Sequence, residues 1–299
     1  MLGEYLLAKR PTNVMHQLGP ESRVPLYSLR HLLQGLPGGA TLWIPRLSQP
    51  AALPGVLRAA SHLRSVVGFC LQPDSPEPEE IRRLRPAELF RLAVEAAEST
   101  DRPAPFCLHV QLPALDAESG AAFEAIQGLV ANCIETGFTS IGVDLRSLPP
   151  DRGAGYAAFL LTAAMELELG ISVLPPIEGA GVGERVRSIS IQLEALRAEG
   201  IEPCLVQVEG EDWPLASGIQ SAVPGVRVAW GSLSGVGRPD RRRLPEILGA
   251  VLGDGILRRA STRDPARLEA LAYAEAFETI ETLGGHGAVE PVLASLESS

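Results

Sequence analysis

Apolar residues in this chain fall into eight short, nearly continuous runs. The first four are ATLWIPRL from Ala40, SVVGFCLQP from Ser65, PFCLHVQLP from Pro105 and FTSIGVDLR from Phe138. The others are GISVLPPI from Gly170, PCLVQVEG from Pro203, VRVAWGSL from Val226 and GILRRAS from Gly255. Runs of this length without polar alternation suit strands buried on both faces, the condition met in parallel sheets. After most of them the period becomes helical. Val186, Ile189, Leu193 and Leu196 form one stripe closed by Gly200, and Phe123, Ile126, Val130 and Cys133 form another closed by Gly137. Asp264 before Pro265 predicts an N-cap with proline in the first helical position, and the stripe Leu268, Ala272, Ala276, Ile280, Leu283 follows it.

Eight strand–helix units in 299 residues predict an α/β fold, a TIM (β/α)8 barrel, for which about 250 residues are typical. Residues 1–299 are read as a single barrel domain with residues 1–39 as an N-terminal extension. Within the extension, LYSLRHLLQGL predicts an extra helix placed to cap the bottom of the barrel. An open doubly wound sheet is the competing arrangement, but no Gly-rich phosphate loop follows the first strand.

Charge narrows the partners. The formal net charge is -10, so the chain as a whole has no attraction for nucleic acid or an anionic membrane. The longest apolar run, Tyr156 to Met165, is too short to span a bilayer, and the start of the chain lacks the apolar core of a secretion signal. Cys70, Cys107, Cys133 and Cys204 lie in apolar surroundings without a C-x-x-C pair, which predicts buried free thiols. A cytoplasmic protein is the expectation.

In a barrel the C-terminal strand ends build the site. Here they offer Arg46, Gln72, His109 and Gln111, Asp144 and Arg146, Glu178, Gln207 and Glu209, Ser232 and Ser234, and finally Arg258, Arg259 and Ser261. The stretch ETGFTSIGVDLRSLP, from Glu135, resembles the fourth unit of the class II (zinc-dependent) fructose- and tagatose-bisphosphate aldolases. In the same register PFCLHVQLP lies where that family has a His-Leu-Asp-His strand end. GISVLPPIEGAG lies at its Glu-Ala-Glu-Leu-Gly strand end, and VAWGSLSGVG resembles its His-Gly-Gly-Ser-Gly phosphate loop. The resemblance runs from about Arg102 to Ser261. It implies a barrel, a zinc ion that polarises a carbonyl, an acid/base aspartate and a loop that holds a sugar phosphate.

The residues depart from that chemistry. Gln111 stands at the acid/base position and Leu112 at the following zinc histidine; Leu174 and Pro176 stand at the glutamates, and Gly231 at the histidine opening the phosphate loop. An amide takes no proton at neutral pH and leucine binds no zinc. Of the five histidines only His109 belongs to one of these strand runs, and the sole lysine, Lys9, precedes the first strand, so a Schiff-base route is closed too. No metal and no cofactor are expected.

Two readings stay open. One is a catalytically degenerate aldolase-like barrel with a scaffolding, regulatory or partner-binding role, its mouth plugged by Leu112, Leu174 and Trp230. The other is a metal-independent lyase or isomerase acting on a small phosphorylated or carboxylated substrate. In that case Asp144, Glu209 or His109 act as acid/base, with Arg46, Arg146, Gln111, Ser232, Ser234 and Gly235 as substrate contacts. His109 reads equally as a hydrogen-bonded structural residue, and Asp144 as the partner of Arg46 or Arg146. The loop GAGVG from Gly179 reads as a lid, and PDRRRLP from Pro239 as a solvated charge run. Weak binding of an anion or sugar phosphate is expected at the Ser234 loop. The helix around Tyr156–Met165 carries more apolar surface than a barrel needs, which predicts a homodimer or hetero-complex through that face.

Overall fold

A computed structural model describes residues 4–47, 49–73, 84–114, 120–209, 212–231, 243–246, 248–256 and 263–298. Eight parallel strands close on themselves in chain order, each hydrogen-bonded to the next and the last to the first. They are β1 Leu42–Leu47, β2 Val67–Leu71, β3 Phe106–Ala114, β4 Ser140–Asp144, β5 Gly170–Leu174, β6 Leu205–Val208, β7 Arg227–Trp230 and β8 Ala250–Ile256. The expected barrel is the observed one. The eighth strand differs in register: it begins at Ala250, where Leu42 and Trp43 of β1 pair with Ala250 and Val251, and not at Gly255. The apolar AVLG segment supplies the β1 and β7 pairing partners, whereas Arg258, Arg259 and Ser261 lie outside the described residues.

The helices fall where the period placed them. Along the chain they are α1 Glu4–Leu7, α2 Thr12–Leu18, α3 Leu29–Gly35, α4 Leu53–His62, α5 Pro86–Glu98 and α6 Gly120–Thr136. Then come α7 Pro150–Glu166, α8 Val182–Ala198, α9 Trp213–Ala222, α10 Pro265–Thr282 and α11 Val289–Ser298. α6 and α8 turn off at Gly137 and Gly200, whose φ of 105° and 78° are open to glycine at little cost. Asp264 caps α10 through its side chain, which accepts from the Ala266 N–H at 3.2 Å. No helix among the described residues is long and apolar enough to cross a membrane.

Two cores result. The outward strand residues, among them Phe69, Leu108, Ile141, Val143, Val206 and Trp230, pack against the inward stripes of the helices. The inward residues Leu42, Ile44, Cys70, Cys107, Leu205, Ala229 and Ala250 fill the lower lumen. That lower core is sealed by Leu29, Leu32, Leu33 and Leu36 on and after α3, and by Val292 and Leu296 of α11. The predicted bottom cap is therefore α3, with the C-terminal helix α11 as its support. A Cβ on Gly35 would lie 2.5 Å from the Val292 Cα, so the two helices cross at backbone contact. α3 also presses on the barrel: a Cβ on Gly170 of β5 would lie 2.5 Å from the Leu29 Cβ. The extension joins the sheet just before α3, where Phe106 N–H donates to Pro25 O at 3.0 Å and Tyr27 N–H to Phe106 O at 2.9 Å. All four cysteines are unpaired thiols, and burial pushes Cys70 and Cys133 up to about 12 and Cys204 up to about 11.

Candidate functional site

Polarity rises along the inward-facing rows of β3, β4 and β6 from the bottom of the barrel to its C-terminal mouth. On β3 the row reads Cys107, His109, Gln111; on β4 it reads Ser140, Gly142, Asp144; on β6 it reads Leu205, Gln207, and then Glu209 just beyond. The middle layer is a hydrogen-bonded cluster. His109 is fully buried in mid-strand, not at the strand end, and its Nδ1 meets Ser140 Oγ at 2.9 Å. Burial holds its pKa down to about 4, the neighbouring Gln111 amide opposing only part of that. The imidazole lies below the mouth and is not among the residues that line its cavity.

Above it, Gln207 Nε2 donates to Ser172 Oγ at 2.9 Å and also to Gln111 Oε1. Gly142 makes room for this contact across the barrel. A Cβ there would sit 2.3 Å from Gln111 Oε1, 2.7 Å from Ser172 Oγ and 2.9 Å from His109 Nε2. Ser140, Gly142 and Ser172 were not singled out in the sequence as partners of Gln111. The available signal was the break in apolarity at alternate positions of runs otherwise made of Val, Ile and Leu.

At the top the mouth is open. A cavity of about 410 Å³ is lined by Gln72, Gln111, Asp144, Arg146, Gln207 and Glu209, with Leu112, Pro113, Ala114, Leu174, Val208, Gly231 and Leu252 between them. Leu112 and Leu174 form walls without closing it. Trp230 does not reach the mouth: it is fully buried on the outer face of β7, edge-on to Trp213 of α9 with ring centroids 5.0 Å apart. One residue further on, inward-facing Gly231 leaves the space vacant.

The charged groups of the mouth are tied together. Asp144 ends β4, and its Oδ1 accepts from the backbone N–H of Arg146 at 3.1 Å, an Asx-type turn encoded by Asp-Leu-Arg. The turn folds the Arg146 fork back onto the same carboxylate, Nε at 2.9 Å from Oδ1 and Nη2 at 2.6 Å from Oδ2. The remaining Nη1 reaches Glu209 at the end of β6, over the top of β5. Hydrogen bonding to Asp144, with the Asp144 and Glu209 charges, raises the Arg146 guanidinium above its ordinary value. Arg46 does not line the cavity; its Nη1 donates to Gln72 Oε1 at 3.1 Å.

Asp212 caps α9 through Leu215 N–H at 3.0 Å and pairs with Arg185. The GAGVG loop is the start of α8, where Glu184 accepts from the Ala180 and Gly181 N–H groups at 2.9 and 3.3 Å. Ser232, Ser234, Gly235 and the arginines of PDRRRLP up to Arg242 lie outside the described residues.

Zinc, which the resemblance implies, does not fit the described mouth. No group of three or more His, Cys, Asp or Glu among the described residues is placed to hold a metal ion. The amides present are poor zinc ligands, and both mouth carboxylates already serve one guanidinium.

Fold and mouth together define a (β/α)8 barrel with a polar, charge-paired site at the C-terminal strand ends. No protein-family model and no curated protein matches the chain. Solved structures do. The YdjI aldolase from Escherichia coli K12 superposes with a TM-score of 0.64 at 13% identity, over 88% of this chain and 98% of that one. The fructose-bisphosphate aldolase from Campylobacter jejuni gives 0.63 at 11%, over 88% and 97%. A putative fructose-1,6-biphosphate aldolase from Coccidioides immitis gives 0.60 at 16%, over 88% and 97%. At these identities the likeness is one of fold alone.

Proposed function

We propose that this protein is a catalytically degenerate, aldolase-like barrel that keeps its mouth as a binding site for a small polar molecule and acts as a regulatory or partner-binding protein. The observation that carries this reading is Arg146, held between Asp144 and Glu209 at an open, amide-lined cavity. Both carboxylates that would move protons are engaged as salt-bridge acceptors, and the one histidine of the strands is buried beneath them. What is left among the described residues is a set of fixed donors and acceptors, which can bind and orient but includes no unpaired base. A partner, a second copy or another protein, would dock where Phe159 is 59% exposed and packs on Phe123 at a ring distance of 5.6 Å, Phe123 in turn meeting Tyr156 at 5.1 Å.

The test is a turnover assay on fructose and tagatose bisphosphates with and without added zinc, paired with thermal-shift screening of small polar compounds. The expected result is no cleavage in either condition and a shift that Gln207→Leu removes. Zinc-dependent cleavage would overturn the reading.

The second reading is a metal-independent lyase or isomerase, favoured by the mouth being open instead of plugged by leucine and tryptophan. Here Asp144 would take the proton after a substrate anion drew Arg146 away. A reaction found by substrate screening and abolished by Asp144→Asn, with ligand binding retained, would establish it in place of the first.

A further inference from the structure

The mouth carries more charge pairing than an anion site should. Among the described residues its lining has two carboxylates, Asp144 and Glu209, against one guanidinium, Arg146, an excess of one negative charge. Every terminal nitrogen of that guanidinium is engaged, Nη2 by Asp144 and Nη1 by Glu209. An anionic ligand would have to expel a carboxylate from Arg146 and leave it unpaired in the cavity. Arg46, on β1, is outside the lining and held on Gln72.

The uncharged groups tell the opposite story. Gln207 spends its amide N–H groups on Gln111 and Ser172, which leaves its carbonyl oxygen as an acceptor. Gln111, whose carbonyl accepts from Gln207, has only a 3.5 Å contact to Leu112 O for its own NH2 and so keeps donor capacity. Donor and acceptor stand side by side on β3 and β6, above a hydrogen-bonded floor and beside the apolar walls Leu112, Leu174 and Leu252. Paired neutral donors and acceptors with apolar patches match a molecule that has hydroxyls or amides and C–H faces. A cavity of about 410 Å³ is within the range of small-molecule sites.

We infer that the mouth takes an uncharged, hydroxyl- or amide-bearing ligand of about monosaccharide size, and not a phosphate ester. The inference rests on the reading of the mouth as a small-molecule site and gives that site its ligand class. Gln111 and Gln207 read the ligand's hydroxyl or amide groups. The Asp144–Arg146–Glu209 bridge spans β4 to β6 and repels anions while its own charges stay paired.

Calorimetric titration of the full chain tests this with a neutral hexose, its hexitol, the matching hexose 6-phosphate and inorganic phosphate. The neutral probes should bind with affinity that changes by less than about twofold between roughly 50 and 500 mM NaCl, since no net charge is neutralised. The phosphate ester should bind at least about tenfold more weakly, and Gln207→Leu should weaken the neutral probe by about tenfold. Glu209→Gln, on an exposed side chain, guards against a misfolded Gln207 variant. It removes the excess charge and frees Nη1 of Arg146, so the preference for the neutral probe over the phosphate ester should narrow by about tenfold. If the wild-type chain binds the phosphate ester more tightly than the neutral probes, and Arg146→Ala or Ser234→Ala abolishes that binding, the ligand class is overturned while the mouth remains a site. If no probe binds, or binding is indifferent to Gln207→Leu, the mouth itself is lost as a site.

Discussion

The two ends of this barrel are built from the same eight strands and solve opposite problems. The lower lumen is packed with Leu42, Ile44, Cys107 and Leu205 and closed by the leucines of α3 braced on α11. The upper lumen is lined by Gln111, Gln207 and Asp144 and holds a cavity. Between them lies His109, fully buried and bonded to Ser140, where the apolar core gives way to a polar one. Folding stability should therefore concentrate at the bottom, where apolar area is removed from water. The mouth contributes polar pairing, which nets little after desolvation. Substitutions at the two ends should separate accordingly.

The largest effect is expected at the cap. Leu32→Ala deletes a fully buried side chain between α3 and the barrel floor and should cost about 2–5 kcal/mol in urea unfolding. A smaller loss than that of Asp144→Asn would erase the distinction between the two ends.

The boundary layer should show itself in pH dependence. The folded His109 has its pKa held down to about 4, below the ordinary histidine value near 6.5, so the unfolded chain binds the proton more readily. This residue therefore costs no stability above about pH 6.5, and its share is progressively lost as the pH falls from there to about 4, by roughly 3 kcal/mol in all. His109→Asn should flatten the stability profile over that window. A variant whose slope equals that of the wild type would mean that the imidazole is not sequestered.

At the mouth the effects shrink. Asp144→Asn removes one acceptor of the Arg146 fork; the carboxylate is buried at 7% exposure but Arg146 is 41% exposed and keeps water as a partner, so a loss of about 1–2 kcal/mol is expected. Glu209, 64% exposed, is the extreme case: Glu209→Gln should change stability by less than about 0.5 kcal/mol while altering ligand selectivity. Equilibrium unfolding of both variants, in low and high salt, checks the order. A mouth variant as costly as Leu32→Ala would show the upper lumen to be structural.

Much of the fold was legible in the residues. The apolar runs at Val67–Leu71, Ser140–Asp144 and Gly170–Leu174 are strands, and the Val186 and Leu268 stripes are helices. The departures from the resembled zinc set, Gln111, Leu112, Leu174 and Pro176, can be read directly in the residues. Strand eight was read too late because RRAS follows an apolar GIL that resembles a strand start, whereas the pairing with β1 begins five residues earlier at Ala250. The GAGVG loop was read as a lid because glycine content alone does not reveal that Glu184 reaches back to fix it.

What the sequence determined by itself is the number of strands, their parallel burial on both faces and the helices between them. It could not say which face of a strand looks into the barrel. When both faces are apolar, the two-residue period carries no contrast, and Trp230 reads as well for the mouth as for the shell. Closure of the sheet decides that: it turned Trp230 outward onto Trp213 and Gln111, Gly142, Ser172 and Gln207 inward onto one another. It also brought Glu209 to Arg146 across 63 residues of chain, joining a candidate base and a candidate anion clamp in one ion-paired bridge. Such pairings depend on distances across the lumen, which are set by strand register and closure and not by any local stretch of residues.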